Sequence, residues 1–304
     1  MIRILNLGSL NLDRVMRVDH IVKPGETLGC RTTASFAGGK GANQSVALAR
    51  AGAQVCHAGR VGTDGVWLLE RLKEAQVDTR HVEVDPDVST GAAFIQVDGR
   101  GENAIVVDPG ANARITRAQI DGVLDQFHEN EILLLQNEIS NIGYAIDAAT
   151  ERGMSICFNP APMNDAARSC NLKKIDLLIV NHHEAEQLIN KPGARDLVPR
   201  LRDMVSGRVI ITLGQRGVIY ADTDGVIQID AFPADAVDTT AAGDTFIGYF
   251  IAERTRANSI RSSLEIASAA AALCVTRQGA MQAIPTREEV DAMVSTRGTE
   301  SSEL

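Results

Sequence analysis

Cysteine is scarce and unpatterned in this chain of 304 residues: the five, Cys30, Cys56, Cys157, Cys170 and Cys274, are odd in number and widely spaced, with no Cys-x-x-Cys pair. That excludes a disulfide framework and a zinc knuckle, and buried reduced thiols are the expectation. Long hydrophobic runs are missing too. The longest uninterrupted apolar stretches, at 132–135 and 269–275, fall far short of the roughly 20 residues that span a bilayer, so no transmembrane helix is expected. Residues 1–7 carry an arginine and alternate like a strand, with no sustained apolar segment and small-residue cleavage site, so the expected location is cytoplasmic. Basic charge is in deficit, with 30 Lys and Arg against 39 Asp and Glu and a net charge of −9. This opposes a nucleic-acid footprint, which needs clustered Lys and Arg on one face. An acidic protein that takes an anionic substrate must concentrate positive potential locally, through backbone N–H groups, helix N-termini or a metal ion.

What is present is a globular composition, 23% charged and 44% hydrophobic, in a length that corresponds to about two domains. Strand-like runs recur at 2–7, 55–61, 132–136, 155–159, 177–181 and 209–213, mostly continuously apolar, as in a parallel sheet covered on both faces. Helical periodicity lies between them at 43–50, 67–75, 118–127, 142–152 and 183–189. The alternation predicts an α/β fold with a doubly wound, mostly parallel sheet, whose ligands sit beyond the carboxyl ends of the strands. Two regions, 14–37 and 89–107, break the pattern with β-like alternation and Gly and Pro punctuation, and predict a small β lid. In the second, Asp98-Gly99 between the apolar runs 92–95 and 104–107 signals a hairpin. The remaining segments, 1–13, 38–88 and 108–304, form the α/β domain in this reading, and 296–304 reads as a frayed end.

Two clusters carry chemistry. In Val237-Asp238-Thr239-Thr240-Ala241-Ala242-Gly243-Asp244, small residues run into an apolar helix, the build of an anion hole: unpaired first-turn N–H groups favour negative charge. Asp244 falls in that first turn, placed to take a proton from a substrate hydroxyl while the amides stabilise a phosphoryl group in flight. The competing reading of Asp244 is an ordinary N-terminal helix acid. The second cluster, Gly38-Gly39-Lys40-Gly41-Ala42-Asn43-Gln44-Ser45, also opens a helix, and Lys40 and Asn43 supply polar groups suited to hydroxyls or phosphate. It is neither a Walker loop, because Ala34 stands where the first Gly belongs, nor a dinucleotide Gly-x-Gly-x-x-Gly turn, because Gln44 replaces the last Gly.

Together the two clusters resemble the signatures of the ribokinase-like sugar kinases, the phosphofructokinase-B type family. The segments 8–13, 24–27, 159–162 and 212–217 look like that family's in the same order, so the resemblance spans essentially the whole chain. It implies an ATP-dependent kinase acting on the primary hydroxyl of a pentose, with D-ribose favoured and deoxyribose, fructose or a nucleoside as alternatives. A non-catalytic sugar-binding protein is the reading from a different class. A hydride-transfer enzyme is disfavoured by the missing dinucleotide fingerprint.

Carried over residue by residue, the resemblance implies that Asp244 is the catalytic base and that Ala241, Ala242 and Gly243 form the anion-hole turn. Asn11, Asp13, Gly39, Lys40, Gly41, Ala42, Asn43 and Glu138 would hold the sugar. Thr212, Leu213, Gly214, Gln215, Arg216 and Gly217 would cradle ATP, joined by Asn181 and Ser268, while Glu184 of the Asn-x-x-Glu motif would organise Mg2+. Asp238, Thr240, Cys274, Arg277, Gly279 and Ala283 match a K+ site built largely of carbonyls. Three departures stand out: Tyr249 replaces a small residue, His182 an acid, and Ala283 a serine. Adjacent His182 and His183 point to different faces and find no third ligand for zinc. The resemblance also implies a homodimer formed through the lid.

Overall fold

The structure, a computed structural model, describes residues 2–300. The chain opens with β1 (Ile4–Leu7), β2 (Asn11–Arg17), β3 (Thr32–Gly38), α1 (Lys40–Arg50), β4 (Val55–Gly62), α2 (Val66–Glu74) and β5 (Asp78–Asp85). It continues through β6 (Gly91–Val97), β7 (Asn103–Asp108), α3 (Arg117–Leu124), β8 (Ile132–Gln136), α4 (Ile142–Glu151), β9 (Ser155–Asn159) and α5 (Asp165–Ser169). After β10 (Leu177–Asn181) and α6 (His182–Leu188) come α7 (Leu197–Met204), β11 (Arg208–Thr212), β12 (Val218–Ala221), β13 (Val226–Ile229), α8 (Ala242–Thr255), α9 (Ile260–Val275) and α10 (Arg287–Glu300).

Nine strands form one sheet in the order β13-β12-β11-β10-β9-β8-β1-β4-β5. It is parallel from β5 to β11 and closes with the antiparallel pair β12 and β13. Successive side chains of a strand point to opposite faces, which explains the continuously apolar runs: Leu133 and Leu135 pack into one core and Leu134 into the other. The first core is completed by α3, α4, α6 and α7, the second by α1, α2, α8 and α9. Four further strands form a separate sheet in the order β3-β2-β6-β7. No helix among the described residues is long and apolar enough to cross a membrane.

The expected strands at 132–136, 155–159 and 177–181 coincide with β8, β9 and β10. Several expectations need correction. β5, β12 and β13 were not legible, because β5 is rich in charge and mostly off the core, and β12 and β13 are only four residues each. The helix expected from residue 43 begins at Lys40, which puts the whole glycine cluster at a helix head. The hairpin between β6 and β7 is a loop over 98–102 rather than a two-residue turn; Gly101, not Gly99, takes the positive φ of 85°. The buried Asp98 carboxylate closes it by accepting from the Arg100 and Glu102 amides at 2.8 and 3.1 Å. β2 begins at Asn11 and β3 ends at Gly38, so pairing Asn11 with Gly38 carries the second sheet past the limits 14 and 37 up to the head of α1. Of the thiols expected to be buried, Cys30 is exposed. α10 runs to Glu300 through the segment read as frayed, and 301–304 lie outside the described residues.

Candidate active site

The carboxyl ends of the parallel strands gather the polar groups. Register pairs Gln136 of β8 with Asn159 of β9, and Asn181 of β10 with Thr212 of β11, at the last positions of those strands. Two helix heads meet there, α1 and α8. Gly39 lets α1 start against the turn after β1: its φ is +94°, and a Cβ would lie 2.9 Å from the Asn11 amide and the Ser9 carbonyl. Ala241 takes the left-handed conformation (φ 61°) at the head of α8, with no side-chain cap. Among the described residues, no backbone acceptor faces the amides of Gly243 and Asp244, as expected of a first turn. A side chain at Gly243 would meet nothing within 4 Å, so this turn has room beside it.

Asp244 is buried at 8% exposure and joins the two heads. Its Oδ2 accepts from Asn43 Nδ2 at 3.1 Å and its Oδ1 from Gln44 Nε2 at 2.9 Å. Burial pushes its carboxyl above the ordinary range, against the opposing pull of the Lys40 charge and the two amides. Lys40 shows the converse balance. Burial disfavours its charge, but the carboxylates of Asp244, Glu138, Glu184 and Asp13 more than offset this and hold it above the ordinary value. Four carboxylates therefore act on the Lys40 charge, inside an acidic protein.

Asp13 faces the same space. Among the described residues no hydrogen-bond donor reaches its carboxylate, and burial, reinforced by Glu138, pushes it up to about 7. An acceptor left in this state is suited to donors that a ligand brings, such as sugar hydroxyls. Asn11 is buried and its Oδ1 accepts from Asn112 Nδ2 at 2.7 Å. Asn112 pairs with Leu10 like a neighbouring strand, accepting from its amide at 3.0 Å and donating to its carbonyl at 3.2 Å. Glu138 Oε2 accepts from the Lys40 amide at 3.0 Å and from Ser9 Oγ at 2.5 Å. One carboxylate oxygen thus caps α1, and Oε1 remains for a ligand. Gly41 and Ala42 bond back to the same turn, through Ser9 Oγ at 3.2 Å and Ser9 O at 2.9 Å. The sequence reading missed Ser9, Asn112 and the contacts of Gln44, because their partners are 32 to 200 residues away.

Asn181 and Glu184 form a capping box at the head of α6, with Asn181 Oδ1 accepting from the Glu184 amide at 2.8 Å and Glu184 Oε2 from the Asn181 amide at 2.9 Å. The Asn-x-x-Glu motif therefore has a local structural role, and Asn181 Nδ2 and Glu184 Oε1 stay available. Burial raises the Glu184 carboxyl against its Asn181 hydrogen bond and the Lys40 charge. Thr212 ends β11 and the turn Gly214–Arg216 follows, with Gln215 and Arg216 exposed. The Leu213 amide donates to Gly217 O at 2.8 Å and closes the loop. Ser268 lies on α9 at 9% exposure.

Asp238, Thr240, Cys274 and Gly279 come together. Asp238 Oδ1 accepts from the Thr240 amide and hydroxyl at 2.9 and 2.6 Å, and Oδ2 from the Gly279 amide at 2.9 Å. The Cys274 thiol donates to Thr240 O at 3.7 Å. Arg277 turns its guanidinium to Glu289 at 2.7 Å, and among the described residues no hydrogen bond ties Ala283 to this cluster. Tyr249, the large residue at a small-residue position, is fully buried and donates to Pro285 O at 2.9 Å.

Comparison with known proteins gives the same answer over nearly the whole length. The ribokinase of Haemophilus influenzae is 36% identical over 292 residues, covering 93% of this chain and 95% of that one. The crystal structure of ribokinase from Cryptococcus neoformans in complex with ADP superposes with a TM-score of 0.83 at 34% identity, covering 96% and 99%. The structure of Arabidopsis thaliana ribokinase complexed with ribose and ATP does so with a TM-score of 0.85 at 28% identity, covering 96% and 98%. The fold is ribokinase-like, and residues 1–287 match the pfkB family of carbohydrate kinases. The chain belongs to that family, phosphotransferases that act on an alcohol group.

Proposed function

We propose that this protein transfers the γ-phosphoryl group of ATP to the primary hydroxyl of D-ribose, giving ribose 5-phosphate. The observation that carries the assignment of roles is the junction of two helix heads at Asp244, with a partly buried lysine and unpaired first-turn amides beside it. Asp244 takes the proton of the primary hydroxyl as its oxygen attacks the γ-phosphorus. The raised carboxyl places this base nearer to neutral pH than an ordinary aspartate. The amides at the head of α8 face the charge that develops on the phosphoryl oxygens. Asn11, Asp13 and Glu138 Oε1 receive the ring hydroxyls, and Asn43 Oδ1, buried without a partner, is a further acceptor beside the base.

ATP lies along the Thr212 to Gly217 loop, between Asn181 and Ser268, in this reading. Magnesium, bound with ATP, would neutralise phosphate charge, and Glu184, whose Oε2 caps α6, would help to hold it through Oε1. The cluster around Asp238 fits a potassium ion only through its carbonyls, since the Asp238 carboxylate is already engaged by Thr240 and Gly279. The sheet β3-β2-β6-β7, expected over 14–37 and 89–107 and built from strands within 11–38 and 91–108, acts as a lid over the sugar that excludes water. Its edge strand β7 exposes Ile105 and Val107 on one face and Val106 on the other, at 53, 53 and 68%, an apolar edge suited to a second copy of this chain. A cytoplasmic location accords with reduced thiols and ATP.

The test is magnesium- and ATP-dependent ADP release over a panel of ribose, deoxyribose, fructose and nucleosides, with and without potassium. Ribose should give the highest kcat/KM, with potassium raising kcat. Turnover restricted to another sugar would move the error to the Asn11, Asp13 and Glu138 shell, and no sugar-dependent turnover would refute the kinase reading.

A further inference from the structure

Behind Asp244 lies a chain of buried amides. Gln44 is fully buried and donates through Nε2 to Asp244 Oδ1 at 2.9 Å and to Asn159 Oδ1 at 3.3 Å. Its Oε1 accepts from Gln136 Nε2 at 2.6 Å, and the same Gln136 nitrogen donates to Asn6 Oδ1 at 3.0 Å. Asn6 Nδ2 then donates to Gly41 O and to Ser45 Oγ, both at 2.8 Å. Ser45 lies 2.8 Å from His57 Nδ1. His57 is wholly buried, and that burial holds it near 4, so the ring is neutral at physiological pH and Nδ1 can accept the Ser45 hydroxyl hydrogen.

Each orientation in this chain follows from the one before. An ionised carboxylate only accepts, so the nitrogen of Gln44 must face Asp244 and its oxygen must face Gln136. Gln136 spends both hydrogens, one toward Gln44 and one toward Asn6, and its own Oε1 is buried without a partner. A Cβ on Gly8 would come within 2.4 Å of that oxygen, so the pocket is built around it. Asn159 is fixed from the other side, because its Nδ2 donates to Ile179 O at 3.0 Å and its oxygen is left for Gln44. An orphaned buried acceptor destabilises a core. Its retention is explained if the direction of the chain is set by what it delivers to Asp244.

We propose that Gln44 is a positioning residue for the transfer reaction: held by Gln136 and Asn159, it fixes the Asp244 carboxylate in one rotamer and favours its ionised form. This rests on Asp244 being the base. The charged and titratable groups acting on Asp244 are Lys40 from α1, Glu138 after β8, Asp13 from β2, Glu184 from α6 and Cys274 from α9. Gln44 changes none of these, so replacing it isolates the amide contribution.

The experiment is the pH profile of kcat, at saturating ribose and magnesium-ATP, for the wild type, Gln44→Met, Gln136→Met and Asp244→Asn. Gln44→Met nearly conserves volume and removes the donor. A hydrogen bond to a charged group corresponds to about one to two pKa units, so the acidic limb should rise by about that much. Gln136→Met, which frees the Gln44 amide to turn, should move the limb in the same direction by less, and it carries the test if Gln44→Met does not fold. A kcat that falls equally at every pH, with the limb within about 0.3 units of wild type, would overturn the proposal. Asp244→Asn separates the premises: near wild-type turnover there removes the base itself, whereas lost turnover there with unmoved limbs in the folded glutamine variants refutes positioning alone.

Discussion

Replacing Asp13 by asparagine should stabilise the ligand-free protein, and more so as the pH rises. Asp13 is pushed from an ordinary 3.8 up to about 7, chiefly by burial, with no donor among the described residues to compensate. Native protein therefore keeps this proton up to about pH 7, whereas the unfolded chain loses it near pH 4. Between those values the native state binds more protons, so stability falls as pH rises; the penalty is absent below about pH 4 and complete above about pH 7. About three units at roughly 1.4 kcal/mol each set an upper bound of about 4 kcal/mol. Water reaching the half-buried carboxylate reduces this, and a gain of about 1–3 kcal/mol at pH 8 is expected for Asp13→Asn. At pH 4.5 the gain should shrink to below about 1 kcal/mol. Urea unfolding of both proteins at the two pH values measures it directly, without sugar or nucleotide. An equal gain at both pH values, or none at pH 8, would refute the claim that the carboxylate is kept unpaired for its ligand. Sugar affinity should fall in the same variant.

Other parts of the molecule predict differently. Glu253 is fully buried and accepts from Arg256, Arg287 and Asn258, tying the end of α8 to α10, so Glu253→Ala should lose about 1–3 kcal/mol in urea unfolding, because Asn258 and Arg256 lose their partner while Arg287 keeps Asp291. Tyr249→Phe leaves the Pro285 carbonyl unpaired and should lose about 1–2 kcal/mol with kcat unchanged. Val106→Asp on β7 should give a monomer by light scattering if two lids meet there, and an unchanged mass would reject that interface.

The alternation of strands and helices, and hence the doubly wound sheet, was legible because buried parallel strands must be apolar on both faces, as β8 and β10 are. β5 was not, since an edge strand beside β4 needs no such run and carries Arg80, His81 and Glu83 instead. Within the site, Asp244 and Lys40 were visible from their small-residue neighbours. The groups that orient them were not. Asn112, Gln44 and Gln136 are polar residues in apolar surroundings whose partners lie far along the chain, and only the fold shows which amide faces which carboxylate. The Asn181 and Glu184 pair illustrates the converse: its spacing is equally that of a capping box, and local sequence cannot separate a cap from a ligand-binding motif.

The central claim is that Asp244 is the base of a ribose kinase, and the most direct measurement compares wild type and Asp244→Asn for both ribose binding by calorimetry and ribose-dependent ADP release. Bound ribose with turnover lowered by roughly 10²- to 10⁴-fold is the predicted result. Turnover within a few-fold of wild type would contradict it.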